Sequence, residues 1–362
     1  MPDNTRSVLI TGAGAPGIRG TIYALHQNPG YPAQPGEVKI RTIGTDARAD
    51  AAGRFLVDRF YQVPAPEGPQ YLDSLLSICR TEGVEVVIPQ TSRETVLLSR
   101  HRAEFQREKI HVMVSDPAAI EVANNKWKLL QVFCQLGLPH PRFRLVTTER
   151  ELVAAVRRLG YPEKPVVVRP AVSNGMRGLR VLKEDAWDLQ RFLGEKPAGL
   201  EISLDDLLRI LRRGTGWPEL LITEYLPGPE YSVDAFVGGD VGVAVPRLRK
   251  EIRSGISFEN TLEYRDDLME YTLKAAQHIG LRYAVGFQFK LDEEGVPKVL
   301  ECNPRVQGTM VASVFSGVNV IWLAVGALLG APMPELPPVL RPAAFYRFWG
   351  GLGVSEGSVD EI

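Results

Sequence analysis

The chain has 362 residues, of which 44% are hydrophobic and 23% charged, with a formal net charge of −1. This length exceeds one ordinary core and indicates two or three domains, while the balanced charge gives no sign of a nucleic-acid or acidic-membrane partner. No apolar run reaches the roughly 18 residues that span a bilayer, and the cysteines and histidines show no CxxC or HExxH spacing, so we expect a cytoplasmic protein without disulfides or a histidine-based metal site.

Strands alternate with helices in the first part of the chain. The β-rich runs "SVLIT" (7–11), "KIRTIGTD" (39–46), "EVVIPQ" (85–90) and "KIHVMVSD" (109–116) are separated by helix-like segments. This alternation is typical of a parallel α/β sheet. We therefore predict a first α/β domain over residues 1–115.

A mixed pattern follows. "PVVVRPAVSNGMRGLRVL" (165–182) predicts two strands around a glycine-bearing loop, and "YAVGFQFKLDEEGVPKVLECNPR" (283–305) predicts a strand, a turn and a strand. We assign residues 116–330 to a second, α+β domain. Residues 331–362, which open with five prolines between 332 and 342, are predicted as a C-terminal tail.

The glycine motif "GAGAPG" (12–17) lies between the first strand and the first predicted helix. Glycines there allow close backbone approach, and a helix N-terminus favours anions. One interpretation is a dinucleotide site with Asp46 on the ribose, and the other is a tight strand-to-helix turn. Pro16 and the position of Asp46, about 29 residues beyond Gly17 against roughly 20 in dinucleotide-binding proteins, favour the turn.

Small and charged residues cluster at two turns in the middle of the chain. The small residues of "SNGMRG" (173–178) would let backbone N–H groups approach phosphates, with Arg169 and Arg177 supplying positive charge. Glu224 and Glu230 flank a Pro-Gly-Pro turn, where the backbone could pair with a planar base and a carboxylate with a ribose. The alternative for "SNGMRG" is an ordinary hairpin loop. The alternative for Glu224 and Glu230 is that both are solvent-facing acids beside a turn.

The stretch "LECNPR" places Glu301, Asn303 and Arg305 at alternate positions. On a strand these side chains share one face, and Cys302 lies on the other. Carboxylate and amide oxygens suit Mg²⁺ bound to phosphates, and a guanidinium suits phosphate oxygens. The preceding strand shows the same alternation, with Gln288 and Lys290 on one face and Phe287 and Phe289 on the other. A half-exposed sheet with an ion pair is the alternative.

In this order, "NNKWKLL", "VVVRPAVSNGMRG", "ITEYLPGPEYSVD" and "FQFKLDEEGVPKVLECNPR" resemble the ATP-grasp superfamily, in particular its carbamoyl-phosphate-synthetase-like branch. The resemblance covers roughly residues 1–325. It implies a pre-ATP-grasp α/β domain followed by an ATP-grasp fold of two α+β subdomains, with a lid-like subdomain at about 140–225.

The resemblance also implies site residues. Those assigned to ATP are Lys126, Arg169, Ser173, Asn174, Gly175, Arg177, Gly178, Glu224, Tyr225, Leu226 and Glu230. Those assigned to the metal, Mg²⁺ or alternatively Mn²⁺, are Gln288, Glu301 and Asn303. Those assigned to catalysis are Arg305, as a clamp on the γ-phosphate and acyl phosphate, and Arg253.

The chain contains one ATP-grasp unit and no amidotransferase motif with a nucleophilic cysteine. The expected activity is therefore that of a stand-alone ligase, which activates a carboxylate as an acyl phosphate and transfers it to an amine or a thiol. Its expected partners are small-molecule substrates and a second copy of itself. An ATP-binding regulatory or scaffold protein without catalysis is one alternative, and an NAD-dependent oxidoreductase resting on "GAGAPG" is another.

We predict that ATP with Mg²⁺ stabilises the folded protein and that NADH does not. Four segments in order resemble ATP-grasp proteins, whereas only one isolated glycine motif indicates a dinucleotide site. A ligand that binds only the native state should add about 2.7 kcal/mol at 100 times its Kd. The measurement is thermal unfolding with each ligand. A shift with NADH and none with ATP would refute the assignment.

Overall fold

The computed structural model describes residues 5–27, 38–173, 176–184, 193, 199–239, 241–348, 350–355 and 358–361. The chain forms two compact units. The first combines Met1–Ala123, Pro229–Phe289 and Glu301–Ile362, and the second combines Asn124–Gly228 with Lys290–Leu300. Neither unit is therefore a continuous segment of the polypeptide.

A five-stranded parallel sheet forms the N-terminal part of the first unit. Its elements are, in chain order, β1 (Thr5–Thr11), α1 (Ile18–His26), β2 (Lys39–Asp46), a 3-10 helix (Ala52–Phe55), β3 (Arg59–Gln62), α2 (Tyr71–Glu82), β4 (Val86–Pro89), α3 (Ser92–Arg100), α4 (Arg102–Arg107), β5 (His111–Val112) and α5 (Pro117–Asn124). The strand order is β3-β2-β1-β4-β5, and every pairing is parallel. The predicted parallel α/β sheet is confirmed.

The inner strands of this sheet are apolar because both of their faces are covered. Val8, Leu9 and Ile10 of β1 are fully buried. Strand β3 is missing from the sequence prediction because it is short, lies at an edge and exposes both of its end residues. Since β2 and β4 lie on opposite sides of β1, the carboxyl ends of β1 and β4 border the crevice where open α/β sheets bind ligands.

The second unit is built on a mixed five-stranded sheet. Its elements are, in chain order, α6 (Lys126–Gln135), β6 (Phe143–Val146), α7 (Glu149–Arg158), β7 (Val166–Pro170), β8 (Arg180–Leu182), β9 (Glu201–Ile202), α8 (Leu204–Leu211) and β10 (Leu220–Glu224). The strand order is β6-β10-β7-β8-β9, antiparallel except between β8 and β9. Leu152 of α7 and Leu208 of α8 pack with Val166 and Ile222 of the sheet in one core.

Most of the elements that follow belong to the first unit, and the segment Lys290–Leu300 among them belongs to the second. The remaining elements are β11 (Glu230–Gly238), β12 (Val241–Arg253), β13 (Ile256–Leu262), α9 (Asp266–Ile279), β14 (Tyr283–Leu291), β15 (Pro297–Asn303), a 3-10 helix (Met310–Ser316), α10 (Val320–Leu328), β16 (Ala343–Tyr346), β17 (Leu352–Ser355) and β18 (Ser358–Glu361). Six strands form a sheet in the order β15-β14-β11-β12-β13-β16, and β17 pairs with β18. Within the predicted tail, β16 therefore pairs with β13.

Strands β12 and β13 are missing from the sequence prediction. Pro246 and several charged residues interrupt the β-rich pattern of β12. In the structure Pro246 lies opposite Val233 of β11, and the charged residues of this strand find partners across the sheet.

The most apolar helix, α10, belongs to the core of the first unit together with α1 and β1. Asn319 caps it by accepting a hydrogen bond from the backbone N–H of Trp322, and the Asn319 amide donates to Ala24 O at 2.7 Å. Over the described ranges, no single helix has the length and apolar composition to cross a membrane. Two consecutive helices have this length and composition only when they are taken together, and the chain bends by 99° between them. They are Met310–Ser316 and Val320–Leu328.

A fully buried ion pair joins β11 to β12. Nε and Nη2 of Arg247 donate to the two carboxylate oxygens of Asp234 at 2.6 and 2.9 Å, and both side chains are 0% exposed. Nη1 donates to Asn260 Oδ1 on β13 and to Thr309 Oγ1, each at 3.0 Å. This bidentate geometry lets two charges remain in the interior.

We predict that Asp234→Asn lowers the free energy of unfolding by about 3–5 kcal/mol, because it leaves the Arg247 charge buried and uncompensated. The double variant Asp234→Leu/Arg247→Met should lose less than Asp234→Asn, since it removes both charges. Denaturant unfolding measures the losses. Arg209→Met, which removes a solvent-exposed ion pair with Asp206, is the control, and an equal loss there would contradict the prediction.

Candidate functional site

Lys126 is the first residue of α6 in the second unit. Asn125 caps this helix by accepting a hydrogen bond from the backbone N–H of Lys128 at 3.1 Å, which fixes the direction in which the lysine leaves the backbone. The Lys126 ammonium is buried and donates to Ser173 O at 2.9 Å, and its backbone N–H donates to Ala171 O at 2.9 Å. The structure thus brings Lys126 to the start of the "SNGMRG" loop.

Arg169 lies on β7, opposite Leu221 of β10. It is only 5% exposed, and its Nη2 donates to Leu300 O at 3.0 Å. This contact holds the guanidinium against the backbone of the segment that leads into Glu301.

The "SNGMRG" loop lies between β7 and β8. Ser173 is half-buried, whereas Arg177 and Gly178 are exposed. Gly178 has a φ of +75°, and a Cβ at this position would lie 2.7 Å from Pro170 Cδ, so the turn requires glycine. The predicted residues Asn174 and Gly175 lie outside the described residues.

Glu224, at the end of β10, is held by two basic residues. Its Oε1 accepts hydrogen bonds from the Arg142 backbone N–H at 3.0 Å and from Lys298 Nζ at 2.8 Å, and its Oε2 accepts from Arg142 Nε at 2.6 Å. Burial opposes the charged form, but the hydrogen bonds from Lys298 and Arg142 outweigh it and lower the pKa of Glu224. The next residue, Tyr225, is 39% exposed, and Leu226 is buried.

A cavity of about 490 Å³ lies beside Glu224 in the same unit. Arg142, Lys164 and Lys298 contribute positive charges to its lining, together with acidic residues of the turn between β14 and β15. Lys298 also forms an ion pair with Asp292 at 3.1 Å. The carboxylate of Glu224 therefore contacts both Arg142 and Lys298 in this charged pocket, and its backbone N–H donates to Arg142 O at 3.0 Å.

In the first unit, Glu301 and Asn303 are half-buried on β15, and Cys302 between them is buried. This is the alternation that a strand imposes. Asn303 Nδ2 donates to Glu301 Oε1 at 3.2 Å, so the two oxygen-bearing groups lie side by side. Gln288 is half-buried on the adjacent strand β14.

Arg305 follows β15 and contacts the first residue of α3 in the N-terminal part of the same unit. Its Nε donates to Ser92 Oγ at 3.1 Å, its Nη1 to Val306 O at 2.9 Å, and its Nη2 reaches Asn303 Oδ1 at 3.5 Å. Burial lowers the pKa of Arg305, although the negative charges of Glu301 and Glu94 oppose the shift. The predicted clamp is thus a half-buried cation beside Glu301 and Asn303.

Glu230 and Arg253, the remaining predicted residues, also lie in the first unit. The Glu230 carboxylate forms an ion pair with Arg249 of β12, whose Nε donates to Ser257 Oγ at 2.6 Å. Arg253, at the exposed end of β12, binds Glu251 at 2.7 Å and lies 4.5 Å from the centre of the Phe258 ring. Arg253 is therefore far more exposed than Arg305.

The sequence prediction missed a buried acid, Glu94, at the carboxyl end of the parallel sheet. Its Oε2 accepts from Thr91 Oγ1 at 2.7 Å and its Oε1 from the Tyr71 hydroxyl at 2.9 Å. Burial raises the pKa of Glu94, although hydrogen bonds from Thr91 and Tyr71 oppose the shift. The spacing Thr91-x-x-Glu94 is a capping box, and this signal was available in the sequence.

The side chain of Asp46 binds the glycine turn that follows β1. Asp46 accepts hydrogen bonds from the backbone N–H groups of Gly14 at 2.7 Å and Arg48 at 2.9 Å. Gly12 has a φ of +60°, and a Cβ there would lie 2.9 Å from Glu94 Oε2. Both oxygens of Asp46, which a dinucleotide site would place on the ribose, are thus engaged with the backbone.

Among the described residues, no group of three or more His, Cys, Asp or Glu side chains could hold a metal ion. The donor set at the end of β15 is one carboxylate, Glu301, with two amide side chains. A cation that arrives with phosphates needs only one or two carboxylates from the protein, because the phosphates supply further oxygens. The donors present fit Mg²⁺ carried by a nucleotide.

A parallel α/β domain, a mixed-sheet unit and a larger antiparallel sheet, in this order along the chain, define an ATP-grasp fold. Two family models match the sequence. Residues 9–113 match the PylC-like N-terminal domain, and residues 216–346 match the ATP-grasp family of the biosynthetic pathway with the Ter operon. The predicted resemblance to the ATP-grasp superfamily is therefore confirmed.

A curated relative, the carbamoyl phosphate synthase large chain of Rubrobacter xylanophilus, is 29% identical over 295 residues, which are 77% of this chain and 25% of the relative. The chain thus spans about a quarter of the length of the curated relatives it matches.

Solved structures share the fold. The biotin carboxylase domain dimer of 2-oxoglutarate carboxylase from Hydrogenobacter thermophilus, in complex with MgADP, ADP and bicarbonate, has a TM-score of 0.69 at 16% identity, covering 93% of this chain and 72% of that one. The L-amino acid ligase from Bacillus licheniformis has a TM-score of 0.62 at 15% identity, covering 94% and 79%.

We predict that Glu224→Gln destabilises the protein by about 1–2 kcal/mol at neutral pH, since the lost hydrogen bonds are charge-assisted but partly hydrated. The folded-state pKa of Glu224 is lowered, so its contribution is present above the unfolded pKa and is lost as the pH falls through the folded pKa. The difference between parent and variant should therefore disappear in acid. Unfolding across pH measures it.

The exposed acid Glu219, near the start of the same strand, provides the control Glu219→Gln. A difference between parent and Glu224→Gln that stays constant down to strongly acidic pH would contradict the charged role of Glu224.

Proposed function

We propose that this chain is an ATP-dependent ligase. It uses MgATP to convert a carboxylate into an acyl phosphate, and it transfers the acyl group to an amine, or alternatively to a thiol. The observation that carries the proposal is the contact series Glu301–Asn303–Arg305 at the end of β15, which combines oxygen donors for a cation with a half-buried guanidinium.

The reaction has two steps. A carboxylate oxygen of the substrate attacks the γ-phosphorus of ATP, the bond from this phosphorus to the ADP oxygen breaks, and an acyl phosphate forms. The amine then attacks the acyl carbon and loses a proton, and inorganic phosphate leaves with the electron pair. Neither step needs a side-chain nucleophile, so the protein contributes position and charge.

The proposed roles follow the placement of the residues. Lys126, Arg169 and the "SNGMRG" loop bind the triphosphate, and the backbone of residues 224–226 binds the adenine. Glu230 accepts the ribose hydroxyls, beside its ion pair with Arg249. Arg253 and Arg305 bind the transferring phosphoryl group, and the contact with Ser92 holds Arg305 in place.

Gln288, Glu301 and Asn303 would hold the cation of MgATP, which neutralises phosphate charge in the transition state. Mn²⁺ accepts the same hard oxygen donors, and we propose that it can substitute. The ATP-grasp relatives bearing the names carboxylase, synthase and ligase support the assignment. A cytoplasmic location and assembly into a homo-oligomer are part of the proposal, and the 2-oxoglutarate carboxylase relative was solved as a domain dimer.

The test is an ADP-release screen over pairs of small carboxylates and amino acids with MgATP. Release that requires both a carboxylate and an amine supports the ligase. A protein that binds ATP but turns it over with no pair would instead support the non-catalytic alternative.

We predict that Glu301→Gln lowers turnover by about tenfold or more and raises the Mg²⁺ concentration for half-maximal activity. The amide keeps the shape of the side chain but removes the charge that Mg²⁺ prefers, and losing one charge-assisted contact costs about 1.5–3 kcal/mol. Metal-free ATP affinity should change little. ADP release against Mg²⁺ concentration, with calorimetry for metal-free ATP, measures both effects.

Glu270→Gln is the matched control, because Glu270 is an exposed acid of α9 in the same unit. If Glu301→Gln and Glu270→Gln had the same Mg²⁺ dependence as the parent, the "LECNPR" pattern would be an ordinary sheet edge.

A further inference from the structure

Arg347 lies directly after β16, in a segment to which the proposed ligase chemistry assigns no role. Its backbone N–H donates to Phe258 O at 2.7 Å. Its Nη1 donates to Pro16 O in the glycine turn at 3.3 Å, and its Nη2 donates to Gly308 O at 2.8 Å. One guanidinium thus joins two loops that are far apart in sequence.

These two loops are in direct contact. A Cβ at Gly17 would lie 2.9 Å from the Cα of Gly308, so the backbones approach as closely as two glycines allow. Pro16 and Gly308 are nevertheless exposed. A small molecule can therefore reach this junction from solvent.

The Arg347 charge has no acidic partner among the described residues, and both of its hydrogen bonds go to backbone carbonyls. Its Nε is buried and has no hydrogen-bond partner in the described structure. Burial alone lowers the pKa of Arg347. A guanidinium has five N–H donors. Two are used and the Nε–H is buried, so one N–H on each Nη remains for an incoming anion.

The surroundings also favour an anion. Helix α1 begins at the glycine turn, has no acidic residue in its first turn, and its N-cap Gly17 makes no side-chain hydrogen bond. A helix N-terminus of this kind carries partial positive charge.

The junction is also close to the proposed phosphoryl clamp. Arg305 binds Val306 O and Arg347 binds Gly308 O. Carbonyls two residues apart are separated by at most about 7 Å of chain. A small substrate held by Arg347 would therefore lie within reach of Arg305.

We infer that Arg347, with the glycine turn and the loop at Gly308, forms the binding site for the carboxylate of the substrate. This inference deepens the proposed function and rests on it for the identity of the anion. The guanidinium would bind the carboxylate through the second N–H of Nη1 and of Nη2, in the bidentate geometry that arginine favours.

The experiment measures stabilisation of the full chain against heat by acetate, bicarbonate, L-alanine and L-glutamate, each titrated against chloride at constant ionic strength. We expect at least one of these anions to stabilise the parent. Arg347→Gln should weaken its apparent affinity by at least about tenfold, because a charge-assisted contact contributes about 1.5–3 kcal/mol. Stabilisation by MgATP should be the same in parent and variant.

Arg341→Gln is the matched control, since it removes an exposed charge from the same C-terminal stretch. Arg347→Lys keeps a charge and donors for the two carbonyls but lacks the fork, and it should weaken the anion severalfold. If Arg347→Gln does not fold, the affinity of Arg347→Lys for the anion becomes the test. Parent-like affinity in Arg347→Lys would then overturn the inference.

Three further results would overturn the inference: no stabilisation of the parent by any of the four anions, parent-like affinity in Arg347→Gln, or equal losses in Arg347→Gln and Arg341→Gln. Failure of the ligase proposal is distinguishable from all of these. It would appear as missing ADP release or missing MgATP stabilisation, while the anion titrations remain measurable.

Discussion

The first unit depends on the buried ion pair between Asp234 and Arg247. Two charges that are 0% exposed can remain in the interior only when every strong donor and acceptor is matched. Arg247 meets this condition through contacts on β11, on β13 and at Thr309. The pair therefore fixes three segments at once, and Thr309 belongs to the loop that begins just after Arg305.

Arginines hold most of the acids that a nucleotide site would use. Arg142 binds Glu224, and Arg249 binds Glu230. An acid bound in this way keeps its charge and its orientation, and the positive partner offsets its repulsion of a triphosphate. Under the proposed function, such pairing would let carboxylates lie near a polyanion without excluding it.

The sequence was informative where a pattern is local. Period-two alternation predicted the shared face of Glu301 and Asn303, and the apolar run predicted β1. It was silent where partners are distant. Lys298 reaches Glu224 across 74 residues, and no spacing rule connects them. The sequence prediction missed the edge strand β3 and the charged strand β12. Both have weak local β-propensity, and their pairing with neighbouring strands in the folded protein outweighs it.

The contact between Arg347 and Pro16 spans 331 residues, and this separation has a consequence during synthesis. Domains fold as units while the chain emerges from the ribosome, N-terminal part first. The parallel sheet can form early, but the glycine turn receives its arginine only when residue 347 has been made. A nascent chain therefore lacks the anion site that we propose, and it would not capture substrate before it can use it.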